Sequence, residues 1–201
     1  MNVFVITYPV PKYIYKLVDI NPDDYVIAVD QALDATIKQG IKVDVALGDF
    51  DSLENHELLK KVKTIKLPTE KDYTDTFEAL KYAYNLEGVD QVYVLGGLGG
   101  NRFEHNYVHL LFFKHFKHLI LMNDETTIQC LKKGVYHTDF KGYISIFALK
   151  PSVITLEGFK YPLTQYELKI NDPIGISNEI LDKQGSINLH KGEILVMLTQ
   201  K

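Results

Sequence analysis

An apolar run that stops at a glycine and then presents two aspartates one residue apart, Val43-Asp44-Val45-Ala46-Leu47-Gly48-Asp49-Phe50-Asp51-Ser52, limits this chain more than any other stretch. β-Branched and aliphatic residues closed by Gly read as a strand buried on both faces, as in a parallel sheet. Asp49 and Asp51 then emerge at its carboxyl end, where open α/β sheets take their ligands. Period-two alternation sends both carboxylates to one side, where they repel unless a proton or a cation lies between them. A hard divalent ion such as Mg²⁺ is the natural partner. Capping of a following helix, around Leu53 to Lys61, would also explain one of the two aspartates.

The preceding chain supplies more strands of the same kind. Asn2 to Thr7 and Tyr25 to Val29 are short buried runs, and the second ends at Asp30 as the organising run ends at Asp49. A helix from Ala32 to Gln39 follows, with Gly40 placed as its left-handed stop, and capping of that helix would account for Asp30. After the aspartates the pattern predicts a helix from about Glu54 to Lys61 and a strand from Val62 to Leu67. Strand alternating with helix predicts a parallel sheet with right-handed crossovers.

Two further turns carry chemistry. Pro68-Thr69-Glu70-Lys71-Asp72-Tyr73-Thr74-Asp75-Thr76 runs into a helix marked by Phe77, Leu80 and Tyr84, and Asp75 with Glu78 has the spacing of a capping box. Acid packed around a lysine also suits a metal–polyphosphate site, in which Lys neutralises a phosphoryl oxygen. Later, Val92 to Leu95 runs into Gly96-Gly97-Leu98-Gly99-Gly100-Asn101-Arg102-Phe103-Glu104-His105 and a helix through Leu110 to His115. Glycines at a strand-to-helix turn let backbone N–H groups approach an anion, and Arg is unfavourable at a positive helix end unless an anion accompanies it. The spacing is neither a P-loop nor a dinucleotide fingerprint. His105 and His109 stand four apart, a ligand pair without a third member, and read better as packing or substrate contacts.

Beyond the strand His118 to Met122 the texture changes to short apolar runs punctuated by glycine, which predicts a small all-β sandwich from about Thr127. Within it, Gly175-Ile176-Ser177-Asn178-Glu179 reads as a polar loop able to meet a ligand. A net charge of -4 gives no general attraction to nucleic acid or anionic membrane, so neither is an expected partner. The single cysteine, Cys130, cannot form an internal disulfide. With no leader-like start and no long apolar run, it points to a cytoplasmic protein.

Taken in order, Val29-Asp30, Gly48-Asp49-Phe50-Asp51-Ser52, Lys71-Asp72-Tyr73-Thr74-Asp75, Gly96 to His105, Gly158 to Leu163 and Ile176-Ser177-Asn178-Glu179 resemble the thiamine pyrophosphokinases. The likeness spans nearly the whole chain. It implies a Rossmann-like parallel-sheet domain, residues 1–125, that binds the nucleotide, and a β-sandwich domain, residues 126–201, that binds thiamine. It also implies a homodimer with shared active sites and Mg²⁺-ATP as pyrophosphoryl donor. By the same likeness Asp49, Asp51 and Asp75 hold the metal, with Lys71, Asp72 and Arg102 assisting the chemistry. Asp30, Gly97, Gly99, Gly100 and His105 lie on the ATP side, and Ser177 and Asn178 on the thiamine side. In this chain the glycine motif is one residue longer than usual, and Glu104 stands where Asp is common.

The chemistry so implied is transfer of the β,γ-pyrophosphoryl group of ATP to the thiamine hydroxyl, with Asp72 and Asp30 both open as proton acceptor. Three other readings compete with it. Asp-x-Asp after an apolar strand also marks phosphatases of the haloacid-dehalogenase type, but those carry it on the first strand, whereas here two strands precede it. A nucleotide-sensing module would bind ATP without releasing AMP. A hydroxymethyl-pterin is an alternative acceptor, since some pterin pyrophosphokinases resemble the same α/β half.

Overall fold

A computed structural model describes residues 1–201 and divides them into two compact units, Met1–Asp124 and Glu125–Lys201. Together they make a mixed α/β chain, and no helix is long and apolar enough to cross a membrane.

The first unit is built on six strands: β1 (Asn2–Thr7), β2 (Tyr25–Val29), β3 (Val45–Gly48), β4 (Lys63–Lys66), β5 (Gln91–Gly96) and β6 (Leu119–Met122). Every pairing among them is parallel, and the order is β4-β3-β2-β1-β5-β6. Burial explains the runs: Val3 to Ile6, Val26 to Val29 and Val45 to Leu47 are covered on both faces. The helices are α1 (Ala32–Lys38), α2 (Asp75–Tyr84) and α3 (Phe103–Leu111). Gly40 ends α1 in the left-handed conformation, φ 75°, and its amide bonds the Ile37 carbonyl. The chain leaves β1 toward β2 on one side and later lays β5 on the other, so the strand order reverses between β1 and β5. A crevice for a ligand opens at such a switch point.

Two expected helices are shorter than the sequence pattern. Glu54 to Lys61 forms only a 3-10 turn, His56–Lys60, begun by the Asn55 side chain accepting from the Glu57 amide. Only Leu58 of that turn is buried, so too little apolar surface holds a longer helix. The glycine-turn helix likewise stops at Leu111 and tightens into a 3-10 turn over Phe112–Lys114.

The second unit is antiparallel throughout: β7 (Thr126–Thr138), β8 (Tyr143–Ala148), β9 (Ser152–Glu157), β10 (Leu163–Leu168) and β11 (Gly185–Thr199). Ser186–Leu189 and Ile194–Leu198, separate runs in the sequence, are one strand interrupted by a bulge near Gly192, φ 96°. Below the bulge β11 pairs with β9 and above it with β8, while β7 follows it along both halves. Ile144, Ile146, Ile154, Leu156, Leu168, Leu189 and Ile194 fill the core enclosed by that bend.

Candidate active site

A cleft of about 770 Å³ opens at the carboxyl ends of the first unit's strands, with Thr7, Asp30, Asp49, Lys71 and Gly97 among its walls. Asp51, Asp72, Asp75, Gly99, Gly100, Arg102 and His105 line it as well. The sequence had flagged each of these residues except Thr7.

Asp49 and Asp51 meet, but not by strand alternation. β3 ends at Gly48, and Phe50 turns the chain with φ 62° while its ring is 2% exposed in the core. The buried ring anchors an otherwise unfavourable left-handed residue. The Asp51 amide then donates to Asp49 Oδ1 at 3.4 Å. Asp30, also left-handed at φ 49°, follows β2 and brings its carboxylate alongside. Asp30, Asp49 and Asp51 each offer an oxygen within 4.8 Å of the others. The N-cap of α1 is Gln31, not Asp30, and Asp30 Oδ1 is buried without a hydrogen-bond partner. Burial lifts its carboxyl above the ordinary range, and repulsion from Asp49 and Asp51 acts in the same direction.

Asp75 stands apart from that trio, beside Lys71. The Lys71 ammonium donates to Asp49 Oδ2 at 2.8 Å and to the Pro68 carbonyl at 3.0 Å, and lies 3.3 Å from Asp75 Oδ1. At that distance Asp75 Oδ1 has a charge partner but no aligned hydrogen bond, which is why it is both ion-paired and unsatisfied. The hydrogen bond from Lys71 holds Asp49 below the usual carboxylate range. Burial works against the Lys71 charge, yet Asp49 and Asp75 outweigh it and raise the ammonium's pKa. Asp75 goes the other way from Asp49: burial raises it despite the lysine.

The helix cap differs from the sequence reading too. Thr74, not Asp75, caps α2, its hydroxyl accepting from the Phe77 amide at 3.2 Å. Asp75 is therefore free to face the cleft. Tyr73 stacks on Phe77 at 4.5 Å, and buried Thr76 shares a 2.8 Å hydrogen bond with Thr7. These contacts tie the Lys71–Asp75 loop to the end of β1. No spacing rule links residues so far apart, so sequence analysis missed the pair.

The glycine turn holds its shape through left-handed backbone at Gly96, Gly97, Gly99 and Gly100. Two of its amides are already engaged: Gly97 donates to the Pro9 carbonyl and Gly99 to the Asn106 side chain. Arg102, exposed at the lip, pairs with Glu104 at 2.8 Å, so the helix start carries its own anion. His105 and His109 do not act as a ligand pair, because His109 is buried with Nδ1 bonded to the Gly97 carbonyl. Burial, with the nearby Arg102 charge, lowers the His105 pKa.

In the second unit Ser177 is exposed and left-handed, φ 53°, its amide donating to Ser145 Oγ. Asn178 is buried, and its side chain is occupied by Tyr161 and Glu179: Oδ1 accepts from both amides and Nδ2 donates to the Tyr161 carbonyl. It fixes the loop rather than offering itself to a ligand.

Fold and cleft together define an α/β protein that gathers carboxylates, a lysine and a glycine turn at a topological switch point. Its solved likenesses are specific. The crystal structure of thiamine pyrophosphokinase from Bacillus subtilis matches with a TM-score of 0.83 and 24% identity over 100% of both chains. A thiamin pyrophosphokinase family protein from Enterococcus faecalis matches at 0.82 and 24%, covering 100% of this chain and 99% of that one. Two family models match in sequence, "Thiamin pyrophosphokinase, catalytic domain" over residues 19–122 and "Thiamin pyrophosphokinase, vitamin B1 binding domain" over residues 125–194. The thiamine pyrophosphokinase of Bacillus subtilis (strain 168) is 31% identical over 185 residues, 86% of this chain and 85% of that protein. The chain belongs to the thiamine pyrophosphokinase family.

Proposed function

We propose that this protein transfers the pyrophosphoryl group of ATP to the hydroxyl of thiamine, giving thiamine diphosphate and AMP. The observation that carries the reading is family membership across both halves of the chain, joined to a cleft that gathers acid, lysine and glycine turn. In this reading residues 1–125 form a Rossmann-like nucleotide-binding domain and residues 126–201 a sandwich-type thiamine-binding domain. Cytoplasmic location fits the lone reduced cysteine.

The carboxylate oxygens fit a hard divalent cation such as Mg²⁺: Asp30, Asp49 and Asp51 stand within 4.8 Å of one another, and Asp30 Oδ1 has no partner of its own. Those three would hold the ion, Asp30 taking the place expected of Asp75, which pairs with Lys71 instead. When bound, the cation neutralises charge on the polyphosphate. The remaining work is positioning. Lys71 turns its ammonium from Asp49 and Asp75 to a phosphoryl oxygen, and Arg102 at the lip adds a second positive group. Asp72, which lines the cleft with no hydrogen bond or ion pair, accepts the proton of the attacking hydroxyl. Alignment of that hydroxyl with the bond to departing AMP supplies most of the advantage.

Ser177 meets the thiamine, and Asn178 keeps its loop in shape. Exposed Ile170, Ile174, Ile176 and Leu181 surround that loop, an apolar surface that suits a homodimer with shared active sites.

Purified protein incubated with Mg²⁺-ATP and thiamine should release AMP and thiamine diphosphate, with no product when a hydroxymethyl-pterin replaces thiamine. Absence of AMP with thiamine overturns the proposal. Asp51→Ala should lower turnover by about 10³-fold with an unchanged thermal midpoint. A variant that retains near-normal AMP release removes Asp51 from the site.

A further inference from the structure

A turn made of glycines has no side chains with which to hold itself, and its backbone loses more freedom on ordering than any other. Left-handed Gly97, Gly99 and Gly100 therefore need an outside restraint if they are to meet a phosphate in one fixed shape. Such a restraint is built into α3.

His109 is 2% exposed, and its Nδ1 lies 2.7 Å from the Gly97 carbonyl oxygen. A carbonyl only accepts, so Nδ1 carries the proton and the ring is the donor. The fit is close: a Cβ on Gly97 would stand 2.5 Å from His109 Nδ1 and Cε1, and the Phe112 ring backs the imidazole at 5.0 Å. Asn106, one helical turn earlier and so on the same face, holds both ends of the next glycine. Its Oδ1 accepts from the Gly99 amide at 2.5 Å, and its Nδ2 donates to the Gly99 carbonyl at 3.1 Å and the Arg102 carbonyl at 3.3 Å. Gly100 lines the cleft, and its amide, unlike those of Gly97 and Gly99, makes no hydrogen bond within the chain.

We infer that Asn106 and His109 are positioning residues: a two-point clasp by which α3 fixes the glycine turn so that its open amide and the helix start receive the nucleotide's phosphates. Neither residue need touch substrate. The inference deepens the kinase reading and rests on it for the identity of the ligand.

Kinetics and hydrogen exchange test it together. His109→Leu, which loses the buried bond to Gly97, and Asn106→Ala, which loses the solvent-exposed bonds to Gly99 and Arg102, should each raise the KM for ATP about tenfold, with the KM for thiamine held within about twofold. His109→Asn, which returns an N–H donor near the former Nδ1, should recover most of the loss. Exchange of the Gly99 amide should accelerate at least about tenfold in Asn106→Ala, because the acceptor that protects it is gone. Unchanged KM for ATP in both variants overturns the clasp. So does a parallel fall in thermal midpoint and in affinity for both substrates without rescue by Asn, the pattern of plain core damage. Should the wild-type protein form no AMP at all, the kinase reading fails, and Gly99 exchange still decides the clasp: acceleration upholds it, and no change refutes it.

Discussion

Two turns leave the same parallel sheet at its carboxyl end and solve opposite problems. The turn after β3 works through side chains, Asp49 and Asp51, and anchors itself with the buried ring of Phe50. The turn after β5 works through bare backbone and borrows its anchors, His109 and Asn106, from the helix that follows. A charged turn can carry its own plug because function needs only some of its side chains. A glycine turn cannot, since it has no side chains, and so its rigidity has to be supplied from elsewhere in the chain.

The contrast breaks most visibly under charge removal. On the proposed reading Asp49→Asn should lower turnover by about 10³-fold or more, since it would remove an acidic oxygen from the cation cluster and release Lys71 in one change. Steady-state AMP formation measures it, and a loss below about tenfold would move the acidic turn out of the chemistry. Added bulk at the glycine turn acts on folding instead. A Cβ at Gly96 would lie 2.2 Å from the Thr7 carbonyl oxygen and 2.3 Å from that of Pro9, whereas one at Gly99 meets nothing within 4 Å. Gly96→Ala should cost about 4 kcal/mol, clash and left-handed strain together, and Gly99→Ala only about 1 kcal/mol from strain alone. Denaturant midpoints at constant slope give both values. Equal costs would mean that the turn has no tight end.

What sequence could and could not disclose follows the same line. β1, β2 and the run before Asp49 were legible because strands buried on both faces must be continuously apolar. The meeting of Asp49 with Asp51 was legible in outcome and mistaken in cause, since a left-handed Phe50 rather than pleat alternation brings them together. Asp30's place beside them was open, because a cap to α1 would have explained it equally well. The clasp and the Thr7–Thr76 bond were not legible at all. Each joins a side chain to a partner whose proximity is created only by packing, and neither has a spacing signature.

Acid sharpens the comparison, because only the glycine turn leans on a buried base. Burial holds the His109 pKa down to about 4, from 6.5 for a free imidazole. Above about pH 6.5 the ring is neutral folded and unfolded alike, and it contributes no pH dependence. Between about 6.5 and 4 the unfolded chain takes up the proton and the folded one resists, so stability falls by up to ~3 kcal/mol as pH drops through that window. His109→Leu should lack this component. The stability difference between wild type and variant, followed by denaturant unfolding from neutral pH downward, should shift in the variant's favour by that amount. A difference that stays constant would show that His109 titrates normally.

The smallest effect separates two neighbours in the loop that faces the acidic turn. By sequence spacing Asp75 and Glu78 would cap α2, and Asp75 would then matter for stability. The observed cap is the Thr74 hydroxyl on the Phe77 amide, with Asp75 left under-bonded and raised in pKa by burial. Thr74→Ala should therefore destabilise by about 1 kcal/mol, the usual cost of losing an N-cap. Asp75→Asn removes a half-buried charge that repels Asp49 and also loses the 3.3 Å pairing with Lys71. These changes oppose each other, and stability should stay within about 0.5 kcal/mol of the parent. Thermal midpoints of the two variants decide the order. If Asp75→Asn were the more damaging, the carboxylate would be a structural cap, and the acid facing the cleft would reduce to Asp30, Asp49, Asp51 and Asp72.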